Sequence, residues 1–201
     1  MSFNSTQAPR FMALLRSARD LHSFVLKDDG TYPNNGQLPL LVYQGALSLP
    51  EHGAPALIEE LFQANRWAGS WHNGVYGFHH YHSTAHEVLG VYASSATVQF
   101  GGEQGVVLSM NQGDVVIIPA GVAHKNLDAS PDFRAVGAYP LGQSPDMNYG
   151  RPGERPQADR NIAGVPLPHA DPVYGVDGSL LQHWSGSESC TDLSTAKASG
   201  L

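Results

Sequence analysis

Cysteine is almost absent: Cys190 is the only one among 201 residues. A single thiol excludes an internal disulfide framework and every cysteine-based zinc motif. Basic residues are also few, 11 Lys and Arg against 18 Asp and Glu, for a formal charge of −7. With no cluster of Lys or Arg, the chain lacks the concentrated positive face that a nucleic-acid binder needs. No run of roughly 18 apolar residues exists, so no membrane-spanning helix is expected. The opening MSFNSTQAPRFMALLRSARD lacks the apolar stretch of a signal peptide. A reducing, cytoplasmic setting is therefore the expectation. The glycines of FGGEQG suit a hairpin and lack the strand–turn–helix context of a phosphate loop.

What is present suffices for one domain, expected over residues 1–184. A chain of this size buries enough surface to fold without a structural metal, so any metal it holds can be functional. Phe11, Leu14, Leu15, Ala18 and Leu21 recur at helical spacing and predict an N-terminal helix. QLPLLVYQG reads as a strand, and APALIEELFQANRW as an amphipathic helix over about residues 55–65, opened by Pro55. From 75 to 140 the character changes. VYGFHHYH, EVLGVYAS, ATVQFGG, GVVLSMN, DVVIIPA, HKNL and FRAVGAYP are short apolar segments separated by turn residues, the pattern of an all-β sandwich or barrel. A barrel core over about 38–140 is expected. Residues 141–184 are rich in Pro, Gly and Asp and read as an irregular arm, tied down by Val165, Leu167, Val173, Leu180, Leu181 and Trp184. The small, polar residues 185–201, which carry Cys190, are expected to be a disordered tail.

The chemistry concentrates in HHYHSTAHE, residues 79–87. His80 and His82 lie two apart on a predicted strand, so both point to one face and can bind one metal from the same side. His79 and Tyr81 point the other way. After a turn at Ser83–Ala85, either His86 or Glu87 can look into a barrel, because adjacent strand residues face opposite sides. About forty residues on, GDVVIIPAGVAHKN places a tight turn before His124, where a third imidazole can meet the first two.

These two stretches resemble the two cupin motifs. GVYGFHHYHSTAHE, Gly74 to Glu87, is similar to the first, with His80 and His82 as its paired histidines. GDVVIIPAGVAH, Gly113 to His124, is similar to the second, with Pro119 to Gly121 as its PxG turn. The pattern departs twice: Ser94 stands where the first motif ends in glycine, and Asp128 where the second ends in asparagine. Together with PLLVYQGAL and VPLPHADPVYG, the likeness extends over about residues 30–184 to the YjlB-like single-domain cupins.

The resemblance implies a mostly β, double-stranded β-helix or jelly-roll barrel with flanking N-terminal helices. It also implies one divalent metal ion (Fe, Mn, Ni or Zn) held by His80, His82, Glu87 and His124. His86 is the alternative ligand, since the first motif admits either spacing; a carboxylate beside imidazoles suits those metals and favours Glu87. His86, turned outward by strand parity, is then expected at the surface, as is His79. Glu87 is the candidate catalytic group, able to move protons if it detaches from the metal. The implied activity is that of a metalloenzyme acting on a small organic molecule, of dioxygenase, isomerase or decarboxylase type. The alternative is a non-catalytic cupin that binds a metal or small ligand. Phe78, by parity with His80 and His82, and Gln99 and Met110 on neighbouring strands are candidate pocket-lining residues, with ordinary core packing as the competing role for all three. No second acid–base group stands out on the strands. His169, in the arm, is the remaining histidine worth locating at the barrel mouth. The resemblance makes a homodimer one option, since cupins are often dimers; the composition leaves the oligomeric state open.

Overall fold

The computed structural model describes residues 11–185. Cys190 and nearly all of the expected tail lie outside them. Nine strands and three helices follow in the order β1 Leu21–Leu26, β2 Asn35–Tyr43, α1 Ala54–Ala64, β3 Trp67–Asn73, β4 Glu87–Ala93, β5 Ser95–Phe100, β6 Val106–Asn111, β7 Val115–Ile118, β8 His124–Ala129, β9 Arg134–Pro140, α2 Gln157–Gly164 and α3 Ser179–Trp184. They form two antiparallel sheets, of order β1-β2-β7-β4-β9-β3 and β6-β5-β8. This is the mostly β, double-sheeted architecture that the strand pattern predicted. Among the described residues no helix is long and apolar enough to cross a membrane.

Strand parity divides the molecule into two cores. On β4, Leu89 and Val91 face inward with Leu40, Val42, Val98, Phe100, Met110, Val116 and Ile118, filling the space between the sheets. Val88 faces the other way and joins Val115, Ile117 and Val136 in a second core beneath α1 and the C-terminal arm. Strands β4 and β7 are therefore covered on both faces, which explains their unbroken apolar runs. Helix α1 turns Ala54, Ile58, Leu61 and Phe62 into this outer core, starting after Gly53 with proline in its first turn.

The expected helix from Phe11 to Leu21 does not form. One turn at Phe11–Leu15 is followed by extended chain, in which the amides of Arg16 and Arg19 donate to the carbonyls of Ala46 and Gln44, and Ser48 donates back to Leu14. Leu21–Leu26 then pairs with β2. Phe11 and Leu14 are buried as their spacing suggests, but pairing with distant backbone overrides local helical preference. Strand β3 lies between the expected helix and the run of short apolar segments, where the sequence pattern assigns no element. The segment VYGFHHYH, read as a regular strand, is extended chain carrying only isolated bridges at His80 and Tyr81.

The C-terminal arm is ordered over the outer core. Trp184 is buried and donates from Nε1 to the Pro39 carbonyl at 2.9 Å. Asp171 is fully buried; its carboxylate accepts the Tyr43 hydroxyl and the amides of Val173, Tyr174 and Leu180. Val173 and Leu180 are buried as expected, whereas Leu167 is 46% exposed.

Candidate metal centre

His80 and His124 come together through backbone pairing. The His80 amide donates to the His124 carbonyl at 3.2 Å, and the His124 amide returns the bond at 2.9 Å. The Gly121 amide donates to the His82 carbonyl at 2.8 Å, so the PAG turn of one stretch clamps the histidine pair of the other. Gly121 has φ 94°, a left-handed conformation that suits glycine. Glu87 opens β4 and shares the inward face of Leu89 and Val91.

These placements gather His80, His82 and His124, all buried, with one ligand nitrogen from each within 4.8 Å of the others. The imidazole rings of His80 and His124 have centroids 4.1 Å apart. Glu87 Oε2 lies 3.3 Å from His124 Nε2 and 3.6 Å from His82 Nε2. Glu87, not His86, therefore meets the histidines.

The donor set fits a divalent cation. Each histidine turns Nδ1 toward a backbone carbonyl: His80 to Phe78 at 3.3 Å, His124 to Val122 at 3.2 Å, and His82 to Asp146. A donated Nδ1–H leaves the Nε2 lone pair free, the arrangement a metal-ligating imidazole adopts. Burial alone would raise the Glu87 pKa, but the neighbouring His82 and His124 overcome it and hold the carboxyl well below the usual range. No well-formed hydrogen bond reaches Glu87 Oε2 although the atom is buried. Burial, reinforced by His124, pushes His80 down to about 3, so its imidazole is neutral near pH 7. For His82 burial acts downward, yet the adjacent Glu87 carboxylate wins and raises it. A buried carboxylate beside the neutral His80 imidazole and the Nε2 atoms of His82 and His124 is a donor set that a cation can use.

The supporting contacts come from the segment expected to be irregular. The Asp146 carboxylate accepts the Ser83 amide at 2.6 Å, the Ser83 hydroxyl, and Asn148 Nδ2 at 2.8 Å. Asp146 also donates its amide to Thr84 Oγ1 at 3.0 Å, and Gln143 Oε1 accepts the His86 amide at 3.0 Å. Residues 143–148 thus run along residues 82–86 and hold His82 from behind. The cluster SPDMN, with Asp and Asn able to bond local backbone, was the one sequence signal for this clamp.

His86 and His79 are not at the surface. His86 is 1% exposed. Its Nδ1 accepts the Ala120 amide at 2.9 Å, and its ring lies 4.6 Å from that of Trp184. Parity turned it away from the centre as expected, but the C-terminal arm covers that face. Its tautomer is the reverse of the three histidines at the centre, with Nδ1 accepting. His79 is buried against Tyr32, with Nε2 3.3 Å from Glu103.

The centre opens into a cavity of about 220 Å³ lined by Trp71, Val75, Tyr76, Leu89, Tyr139 and Met147, among others. The expected pocket residues are elsewhere. Phe78 is 45% exposed and stacks on Tyr76, because the chain bends at Gly77–Phe78 and parity with His80 fails. Gln99 sits on the outer face of β5, where Nε2 donates to the Glu103 carbonyl at 3.2 Å. Met110 is packed in the inner core. His169 is exposed and away from the mouth, which the arm reaches through Met147 instead. The aromatic wall was missed: Trp71 on β3 and Tyr139 on β9 were not among the candidate pocket residues. The phenol of Tyr139, with a pKa raised by burial and the Glu87 charge, is a proton-bearing group the strands did not advertise.

No protein-family profile matches the chain. Among solved structures it is similar to procruciferin, an 11S globulin from Brassica napus, at 19% identity over 62% of this chain and 31% of that one, with a TM-score of 0.35. The chain thus spans about a third of the globulin's length. It is also similar to RmlC, a dTDP-6-deoxy-D-glucose-3,5-epimerase from Legionella pneumophila, at 17% identity over 62% of this chain and 73% of that one, with a TM-score of 0.30. The uncharacterized protein YjlB of Bacillus subtilis (strain 168) is 43% identical over 166 residues, 83% of this chain and 98% of that protein. An alignment that takes in nearly all of YjlB and most of this chain makes the conclusion direct: the chain belongs to the YjlB family.

Proposed function

We propose that the protein is a divalent-metal-dependent enzyme acting on a small organic molecule inside the barrel. The observation that carries the reading is the convergence of one ring nitrogen from each of His80, His82 and His124 with the orphaned Glu87 Oε2 at the floor of an open cavity. His80, His82, His124 and Glu87 would hold the ion, as iron, manganese, nickel or zinc. Bound there, such an ion supplies Lewis acidity or, if redox-active, activation of dioxygen.

The chain's own residues would do the rest. Carbonyls of Phe78, Val122 and Asp146 keep the imidazoles in the binding tautomer. Trp71, Leu89, Tyr139 and Met147 keep water from the substrate side. Glu87 would accept or return a proton at Oε2 when freed from the ion. Among the described residues no Lys or Arg lines the cavity. Recognition of a phosphate group normally uses such cations, so the cavity suits an uncharged or weakly acidic substrate over a phosphorylated one. Dioxygenase, isomerase and decarboxylase chemistry all fit this setting.

The test is to identify the bound metal and follow oxygen uptake and product formation over a panel of small acids and enols. Turnover that is lost in Glu87→Gln and His124→Ala supports the proposal. Stoichiometric metal without turnover across the panel supports instead a non-catalytic cupin that binds a metal or small ligand.

A further inference from the structure

We infer that Tyr139 is a positioning residue for Glu87, held in place by Trp71, and that this pair tunes how tightly the centre takes a divalent cation. The inference rests on the metal reading above and deepens it.

Strand register makes the contact. Val88 pairs with Ala138 and Leu89 with Gly137 between β4 and β9. One step further along, Tyr139 stands across from Glu87 on the inward face, where cross-strand neighbours touch. Both side chains line the same cavity, close enough that the Glu87 charge adds to burial in raising the phenol's pKa. On the other side of β9, Trp71 of β3 pairs with Gly137.

Three features aim Trp71 at Tyr139. The β3–β9 register shifts between Ala68 and Trp71, and Gly69 takes φ 66° within that shift. Irregularities of this kind re-aim side chains next to sites. Gly137 leaves room: a Cβ there would lie 2.1 Å from Trp71 Cε2, so the indole occupies space that any side chain would claim. From that position Trp71 Nε1 donates to the Tyr139 hydroxyl at 2.8 Å. Indole is a donor only, so it engages the phenol's oxygen and leaves the phenol's own hydrogen for Glu87. A wall built only to exclude water needs neither the indole N–H nor the hydroxyl. The relay from Trp71 through Tyr139 fixes the carboxylate's rotation, as outer contacts fix ligands in metal sites.

Cobalt(II) is the probe, with affinity measured by chelator competition and the centre followed by its visible absorption. Tyr139→Phe keeps the ring and removes the hydroxyl. It should bind cobalt about 10-fold or more weakly and shift the cobalt spectrum. Trp71→Phe, which removes the indole donor, and Gly137→Ala, which displaces the indole, should move both readouts in the same direction. In a Glu87→Ala background, Tyr139→Phe should add nothing, because its path to the ion runs through that carboxylate. Wild-type affinity and spectrum in folded Tyr139→Phe would overturn the inference, as would an equal loss in the Glu87→Ala background. Wild-type protein that binds no cobalt would sink the metal reading and this inference together.

Discussion

His80 and His124, forty-four positions apart in the sequence, exchange backbone hydrogen bonds at 3.2 and 2.9 Å and bring their rings to 4.1 Å. The histidine cluster is therefore anchored by main chain. Side-chain changes at these positions should alter binding more than folding. We expect His124→Ala to lose metal while its urea midpoint, measured metal-free, stays close to that of wild type.

Gly121 is the hinge of the clamp. Its amide holds the His82 carbonyl, its φ is 94°, and a Cβ there would meet the Asn34 carbonyl oxygen at 2.4 Å. Gly121→Ala should cost about 2–3 kcal/mol of stability through backbone strain and collision. Chemical denaturation of the metal-free protein would read this loss directly.

Asp146 supports His82 from the arm, through its carbonyl on Nδ1 and its carboxylate on Ser83. Asp146→Ala should weaken metal affinity by about 10-fold, in the range seen when an outer contact of a ligand is removed. Thr84→Val, which removes one contact of the same clamp, should have a smaller effect. Chelator competition on the two variants would rank them.

His86 separates stability from binding. It is buried, accepts the Ala120 amide and packs on Trp184, away from the three histidines. His86→Ala should cost about 2–4 kcal/mol from the lost packing and the unpaired amide. Metal stoichiometry should be unchanged.

The same residue makes the fold acid-sensitive. Burial pushes the His86 pKa down to about 3 from an ordinary value of 6.5. Between those values the unfolded chain binds the proton and the folded chain does not, so stability rises with pH. Its contribution is fully present above pH 6.5 and is lost as pH falls toward 3, at about 1.4 kcal/mol per pH unit. His86→Leu should therefore flatten the stability difference between pH 7 and pH 5 by about 2 kcal/mol. Parallel slopes for variant and wild type would contradict a neutral buried His86.

Much of the centre was legible in the sequence because its determinants are local. The two-residue period of a strand paired His80 with His82, and parity separated Glu87 from His86. The PAGVAH stretch then marked the partner loop. The surroundings were less legible because they come from long-range packing. Leu21–Leu26 became a strand through pairing with β2, and His86 is buried only because Trp184 returns from the far end of the chain. Parity misplaced Phe78 where the chain bends at Gly77. Trp71 and Tyr139 meet only through the β3–β9 register and the absence of a side chain at Gly137, neither of which composition or periodicity reveals.

The most direct measurement is the metal content of purified wild-type protein beside His80→Ala, by elemental analysis before and after reconstitution. We expect about one divalent ion per wild-type chain and a marked loss in His80→Ala, with His86→Ala still loaded. No stoichiometric metal in reconstituted wild type, or equal metal in wild type and His80→Ala, would contradict a centre built from His80, His82, Glu87 and His124.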